Sequence, residues 1–136
     1  MATKAPTQNF ITGNVIEMEA EAAIVVRRLV KLGTAAGQVI HTAAITDVVV
    51  GVSLNSCAAG ERVQIQTSGV AEVECASAVT YLDQVMPVGT GAGKVATAAG
   101  ATAKSCGQAG GATTANAGET QKLWLSPINV NGPANT

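Results

Sequence analysis

The stretch Arg62–Cys75 reads RVQIQTSGVAEVEC, and it alternates. Val63 and Ile65 fall on one face of an extended segment, and Gln64 and Gln66 on the other. After Ser68-Gly69, Ala71, Val73 and Cys75 oppose Val70, Glu72 and Glu74. A period of two sends successive side chains to opposite faces of a sheet, so both runs read as half-buried strands with a turn between them.

Working back from this stretch, Ala58-Ala59-Gly60-Glu61 is a turn, and Val48–Leu54 (VVVGVSL) is a buried strand interrupted by Gly51. Gln38–Ala43 reads as a strand between turns at Gly33–Gly37 and Thr46-Asp47. Residues 15–32 carry two signals. Met18, Ala22, Val25, Leu29 and Leu32 keep helical spacing, yet Ile24-Val25-Val26 and Leu29-Val30 favour strands, and two short strands are the reading adopted. Many short strands parted by glycine turns predict an all-β fold: a small Greek-key or jelly-roll-like sandwich or barrel.

The chain also repeats itself. Gly33-Thr-Ala-Ala-Gly-Gln-Val39 returns as Gly89-Thr-Gly-Ala-Gly-Lys-Val95, and at the same offset Gly51 falls on Gly107. Ala59-Gly60-Glu61 returns as Ala117-Gly118-Glu119, which sets Arg62–Thr67 against Thr120–Leu125 once the loop 108–116 takes an insertion. The expectation is one β-domain over residues 15–126, built from two similar halves, about 24–75 and 80–126. Two such halves facing each other as sheets favour the sandwich. Residues 1–14 read as an extended N-terminal arm. The Pro- and Asn-rich residues 127–136 form a C-terminal tail that cannot be a central strand.

Composition bounds the rest. The chain has 25 Ala, 17 Val, 15 Gly and 15 Thr against one Phe, one Trp and one Tyr, and only 12% of its residues are charged, for a net charge of -1. Burying Ala removes little area from water, so the core should be thin and should need help from an oligomer or a larger assembly. Near-neutral charge gives no electrostatic footprint for direct nucleic-acid binding, and no apolar run approaches the ~18 residues of a membrane span. The opening MATKAPTQNF has no apolar core of the kind a secretory signal carries. Three scattered cysteines, Cys57, Cys75 and Cys106, argue against a disulfide framework and fit synthesis in a reducing cytoplasm.

The search for chemistry finds little. Gly89-Thr-Gly-Ala-Gly-Lys94 is one residue short of a phosphate-binding loop and is followed by Val95 instead of Ser or Thr, so it reads as a turn. His41 stands alone in a strand, and pairing it with Cys57 or Cys75 as a nucleophile has no supporting motif. Glu72/Glu74 and Glu17/Glu19/Glu21 are rows of solvated charge that Arg27, Arg28 or Lys31 can pair across strands. No catalytic, cofactor-binding or metal-binding set is expected.

Across Ile24–Glu74 the sequence resembles the small tailed-phage capsid decoration (cement) proteins of the DUF2190 family. The resemblance rests on Val30-Lys31, Val39, Ala43–Asp47, Val50-Gly51-Val52, Ala59-Gly60-Glu61, Val63, Ile65 and Gly69. It continues more faintly in Gly89–Val95, Cys106-Gly107, Ala117-Gly118-Glu119 and Leu123–Leu125. The chain departs from the pattern at Thr80–Gln84, where the family often has a Gly-Asp turn, and in the longer loop 108–116. The resemblance implies a structural virion protein, made in the host cytoplasm. It would act as a dimer or trimer that binds the major capsid protein on the outer surface of the head. Phe10 and Ile11 in the arm, and Trp124, are then the candidate capsid or oligomer contacts. Two other readings stand beside it. A head fibre or adhesin-type module predicts exposed aromatics in a groove, and a Cys/His hydrolase predicts that His41 and a cysteine act together.

Overall fold

The computed structural model describes residues 13–88, 93–97 and 104–131. These residues form strands and turns, with no helix among them. Five strands, β1 (Val15–Ala20), β2 (Leu29–Leu32), β3 (Gln38–His41), β4 (Gly51–Ser53) and β5 (Arg62–Gln66), close into a barrel in the order β1-β3-β2-β4-β5. β1 runs antiparallel to β5, from Val15↔Gln66 to Glu19↔Arg62, and parallel to β3 through Glu19↔Gln38 and Ala20↔Val39. Closure leaves no open sheet edge in this half.

The remaining strands are β6 (Val70–Glu74), β7 (Val79–Thr80), β8 (Gln84–Pro87), β9 (Val95–Thr97), β10 (Lys104–Ala109), β11 (Thr114–Ala115) and β12 (Thr120–Asn131). Five of them form a sheet in the order β6-β12-β10-β8-β9, and β7 pairs with β11 in a short ribbon. One parallel bridge, Cys75↔Val95, joins the two edges of the sheet. This is the first barrel again, with β6, β8, β9, β10 and β12 in the places of β1, β2, β3, β4 and β5. Ala20↔Val39 returns as Cys75↔Val95, and the bridge Ile24↔Cys57 returns as the pair Val79↔Ala115. The turns match as well. Ala58 N–H reaches the Glu61 carboxylate at 2.8 Å, as Asn116 N–H reaches Glu119 at 2.8 Å. Gly60 and Gly118 share φ 86°, a left-handed conformation that an L side chain resists.

Three details differ from the sequence reading. First, β6 belongs to the second barrel, so the halves part at Thr67–Gly69 and not after Cys75; β6 hydrogen-bonds to β12, not to β5. Second, of the sandwich and the barrel, the fold takes the barrel. Each half curls on itself, because its first strand finds both its own third and its own last strand. Third, β12 continues through the expected tail to Asn131. Its pairing with β6 ends at Trp124, and its register against β10 slips between Gly107↔Leu125 and Ser105↔Val130. Pro127 therefore lies in a bulge on a one-sided stretch, where a missing N–H costs no ladder bond.

Alternation predicts much of the core, although Gln66, expected on the outer face with Gln64, is buried where its amide donates to the Ser68 and Val70 carbonyls. Val63 and Ile65 of β5, and Ala71 and Val73 of β6, are buried, while Gln64 and Glu72 are exposed. The first barrel packs Ala20, Ile24, Val30, Val39, Val63 and Ile65 around its axis. The second packs Val73, Cys75, Val85, Val95, Cys106 and Leu123, and it also takes in Leu29, Val49 and Val52 from the first. Part of the help that a thin core needs thus comes from the sister barrel.

Candidate interaction face

The face that stands out lies on the second barrel, where the Tyr81–Asp83 turn meets the end of β10 and Trp124 of β12. Among the described residues the two aromatics, Tyr81 and Trp124, are both outside the core, 53% and 52% exposed, and Leu82 between them in the groove is 57% exposed. With Gln108, Ala109 and Gly110 they line a shallow groove of about 190 Å³. Trp124 is on β12, where Leu123 and Leu125 turn toward the core and Trp124 must turn outward.

Backbone hydrogen bonds fix the groove. Leu82 N–H donates to Ala109 C=O at 2.8 Å and Ala109 N–H donates to Asp83 C=O at 2.8 Å, locking the Tyr81–Asp83 turn to β10. The Gln108 side-chain amide donates to Leu82 C=O at 3.0 Å. Asp83 Oδ2 accepts from Thr80 N–H at 2.9 Å and from the Thr97 hydroxyl at 3.0 Å. The longer loop after β10 is held from beneath. Buried Gln121 accepts from Gly111 N–H at 2.9 Å and Ala112 N–H at 2.7 Å, and it donates to Ala112 C=O at 3.1 Å. Gly110 then lies flat on the Trp124 ring, where a Cβ would collide with the ring carbons. The groove is preformed, aromatic and uncharged at its centre, with amide groups for polar contact. Such a surface suits docking, and it holds no group placed to attack a bond.

Of the three candidate contacts, Trp124 lies in this groove, whereas Phe10 and Ile11 fall outside the described residues. The sequence reading passed over Tyr81 and Leu82, treating Thr80–Gln84 as a departure from a turn pattern. The signal was that two bulky apolar residues replaced turn formers there.

Elsewhere several titratable groups are held in ion pairs or hydrogen bonds. Arg28 and Lys94 both reach the Glu74 carboxylate, at 3.0 and 3.3 Å, and Lys31 reaches Asp47 at 3.2 Å. His41 Nε2 accepts the Val25 N–H at 3.1 Å. Burial pushes the Cys75 thiol up to about 11 and the Cys106 thiol up to about 12, and it raises Cys57 as well, so all three are protonated at neutral pH and are poor nucleophiles. No cluster of three or more His, Cys, Asp or Glu side chains is placed to hold a metal among the described residues.

No protein-family model matches the chain, and no curated protein matches it in sequence. A solved structure does match in fold. The two-barrel body is similar to the head fiber gp8.5 N base in bacteriophage phi29, with a TM-score of 0.67 and 15% identity, over 86% of this chain and 97% of that one.

Proposed function

We propose that this chain is a structural protein of a tailed-phage particle that binds the exterior of the head and stabilises it as a cement protein. The observation that carries the reading is the fold likeness to a phage head fibre base over nearly the full length of both chains. The residue pattern of Ile24–Glu74 that resembles the DUF2190 cement proteins points the same way, although no family model matches the chain. The partner is the major capsid protein, and no cofactor enters. A two-barrel body with a thin core and little charge suits a role in which individually weak contacts are multiplied by the symmetry of a closed shell. The segment 1–14, with Phe10 and Ile11, is the arm that reaches neighbouring capsid subunits in this reading.

A second reading, that the chain is the base of a head fibre, is favoured by one feature. Exposed aromatics in a groove are what a binding module predicts, and Tyr81 and Trp124 meet that expectation.

Mixing the purified protein with undecorated heads tests both. A cement protein co-sediments with heads and raises the temperature at which they rupture. A fibre base co-sediments without that gain. Failure to co-sediment overturns the head assignment altogether. His41→Gln, which keeps an acceptor for Val25 N–H, and separately Cys57→Ala leave head binding intact under either reading.

A further inference from the structure

Within the chain the two barrels join through two unlike faces. On the first barrel the face is the Val26–Arg28 turn with Ser53, Leu54 and Gln66; on the second it is β6 with Gly93. Glu74 N–H donates to Arg27 C=O at 3.0 Å, and Leu29 N–H donates to Gly93 C=O at 2.6 Å. The Arg28 guanidinium reaches the Glu74 carboxylate at 3.0 Å. Val26, Arg27, Ser53, Leu54 and Gln66 line one side of the seam, and Val70, Ala71 and Glu72 line the other.

The repeat gives each barrel a copy of both faces, so one copy of each is left over. The equivalents of Val26, Arg27, Ser53, Leu54 and Gln66 are Tyr81, Leu82, Ala109, Gly110 and Trp124, which is the groove described above. The equivalents of Val70, Ala71 and Glu72 are Val15, Ile16 and Glu17, at the start of β1. The registers agree: Val70 pairs with Trp124 as Val15 pairs with Gln66.

A leftover face on a chain that works alone is usually polar. Here both leftover faces gain apolar bulk. Arg27 becomes Leu82, Gln66 becomes Trp124, and Val26 becomes Tyr81. Ala71, 4% exposed beneath the first barrel, corresponds to Ile16, which is 41% exposed, and Val15 beside it is 51% exposed.

We propose that two copies of this chain associate head to tail, with Val15 and Ile16 of β1 in one copy docking on the Tyr81–Leu82–Trp124 face of the next. The occupant is a second copy because the contact repeats, between chains, an interface already present within each chain. The two faces differ, so the contact is heterologous: it closes into a ring if the rotation allows, and otherwise runs on as a filament. It is weaker than the internal seam. Asp83 stands where Arg28 stands, facing the place of Glu19, so the ion pair is replaced by like charges. Gln84 and Gln108 replace buried Leu29 and Val52. Added salt screens the like charges and tightens the association. This inference does not rest on the phage reading.

The test uses the full chain without heads, in a Cys57→Ala background. Ile16→Cys and Leu82→Cys are made as separate proteins. Mixed under mild oxidation, they give a disulfide-linked dimer that neither gives alone. In sedimentation, Trp124→Ala and Leu82→Asn weaken self-association by about tenfold or more while each variant still unfolds cooperatively as a folded chain. Leu82→Asn is chosen because asparagine tolerates the backbone there. A chain that stays monomeric up to about 1 mM overturns the proposal. So does an Ile16→Cys protein that cross-links with itself as readily as with Leu82→Cys. Loss of head binding in Trp124→Ala, with no change in self-association, assigns the face to the capsid and likewise overturns it. Because the association is measured without heads, its failure leaves the co-sedimentation result standing.

Discussion

Arg27 and Leu82 stand at the same place in the two barrels, and both hold a left-handed backbone, with φ 63° and 74°. Each donates its N–H back to a carbonyl across the turn, Arg27 to Ser53 at 2.9 Å and Leu82 to Ala109 at 2.8 Å. The conformation is the same because the hook is the same, although the residues share no chemistry. Left-handed backbone costs a side-chain-bearing residue about 1–2 kcal/mol, and asparagine tolerates it best after glycine. Arg27→Asn and Leu82→Asn should therefore each raise unfolding stability by about 0.5–1 kcal/mol in urea titrations. A loss at both positions would show that the turn is not strained.

Gly51 and Gly107 are paired in the same way, for a different reason. A Cβ at Gly51 would collide with the Gln66 carbonyl, and one at Gly107 with the Trp124 carbonyl. Backbone cannot step aside as a side-chain tip can. Gly51→Ala and Gly107→Ala should each cost about 2–3 kcal/mol. Gly37→Ala, where only the positive φ objects and the space is open, should cost about 1 kcal/mol. Equal losses at all three positions would refute the steric account.

These pairs also show what the sequence could and could not reveal. Period-two runs and glycine turns mark strands plainly, and Gly51 falling on Gly107 marks the repeat. The boundary between the halves was less legible. VIEME (15–19) and VAEVE (70–74) are the same strand, but the turn at Ser68-Gly69 looks like any other turn within a barrel. Closure was invisible because pairing between first and last strands is long-range and leaves no local mark. The groove was hidden for a related reason. Tyr81 and Trp124 are far apart in sequence, and a strand such as Leu123-Trp124-Leu125 does not say which of its faces looks outward.

Glu74 ties the barrels together. Burial alone would push its carboxyl up, but hydrogen bonds and charge from Arg28 and Lys94 outweigh that and hold it below its ordinary 4.5. The unfolded chain therefore binds this proton more readily than the folded one. The stabilisation is complete above about pH 4.5 and is lost as pH falls through the lower folded value. Glu74→Gln should lower stability at pH 7 by about 1–2 kcal/mol and flatten the acid limb of a stability–pH curve. An acid limb that persists unchanged in the variant would assign it to other carboxylates.

His41 acts at higher pH. Its Nε2 accepts the Val25 N–H at 3.1 Å, which only the neutral ring can do. Burial, and then the nearby charge of Arg28, lower its pKa from the ordinary 6.5. The unfolded chain takes up the proton first as pH drops, so the stabilisation is present above about 6.5 and is lost as pH falls through the folded value. This window opens near 6.5, above the 4.5 at which that of Glu74 opens, so the His41 loss begins first as pH falls. His41→Gln keeps an acceptor for Val25 but cannot titrate. The wild-type denaturation midpoint should fall between pH 6.5 and the carboxylate range, while that of His41→Gln stays level there. A variant that tracks the wild type through this window would show that the imidazole stays neutral or finds another partner when charged. Since Val25 N–H leads into the Val26–Arg28 turn, the same loss should loosen the seam between the barrels. Hydrogen exchange at the Glu74 amide, which donates to Arg27 C=O at 3.0 Å, should speed up with the same pH dependence.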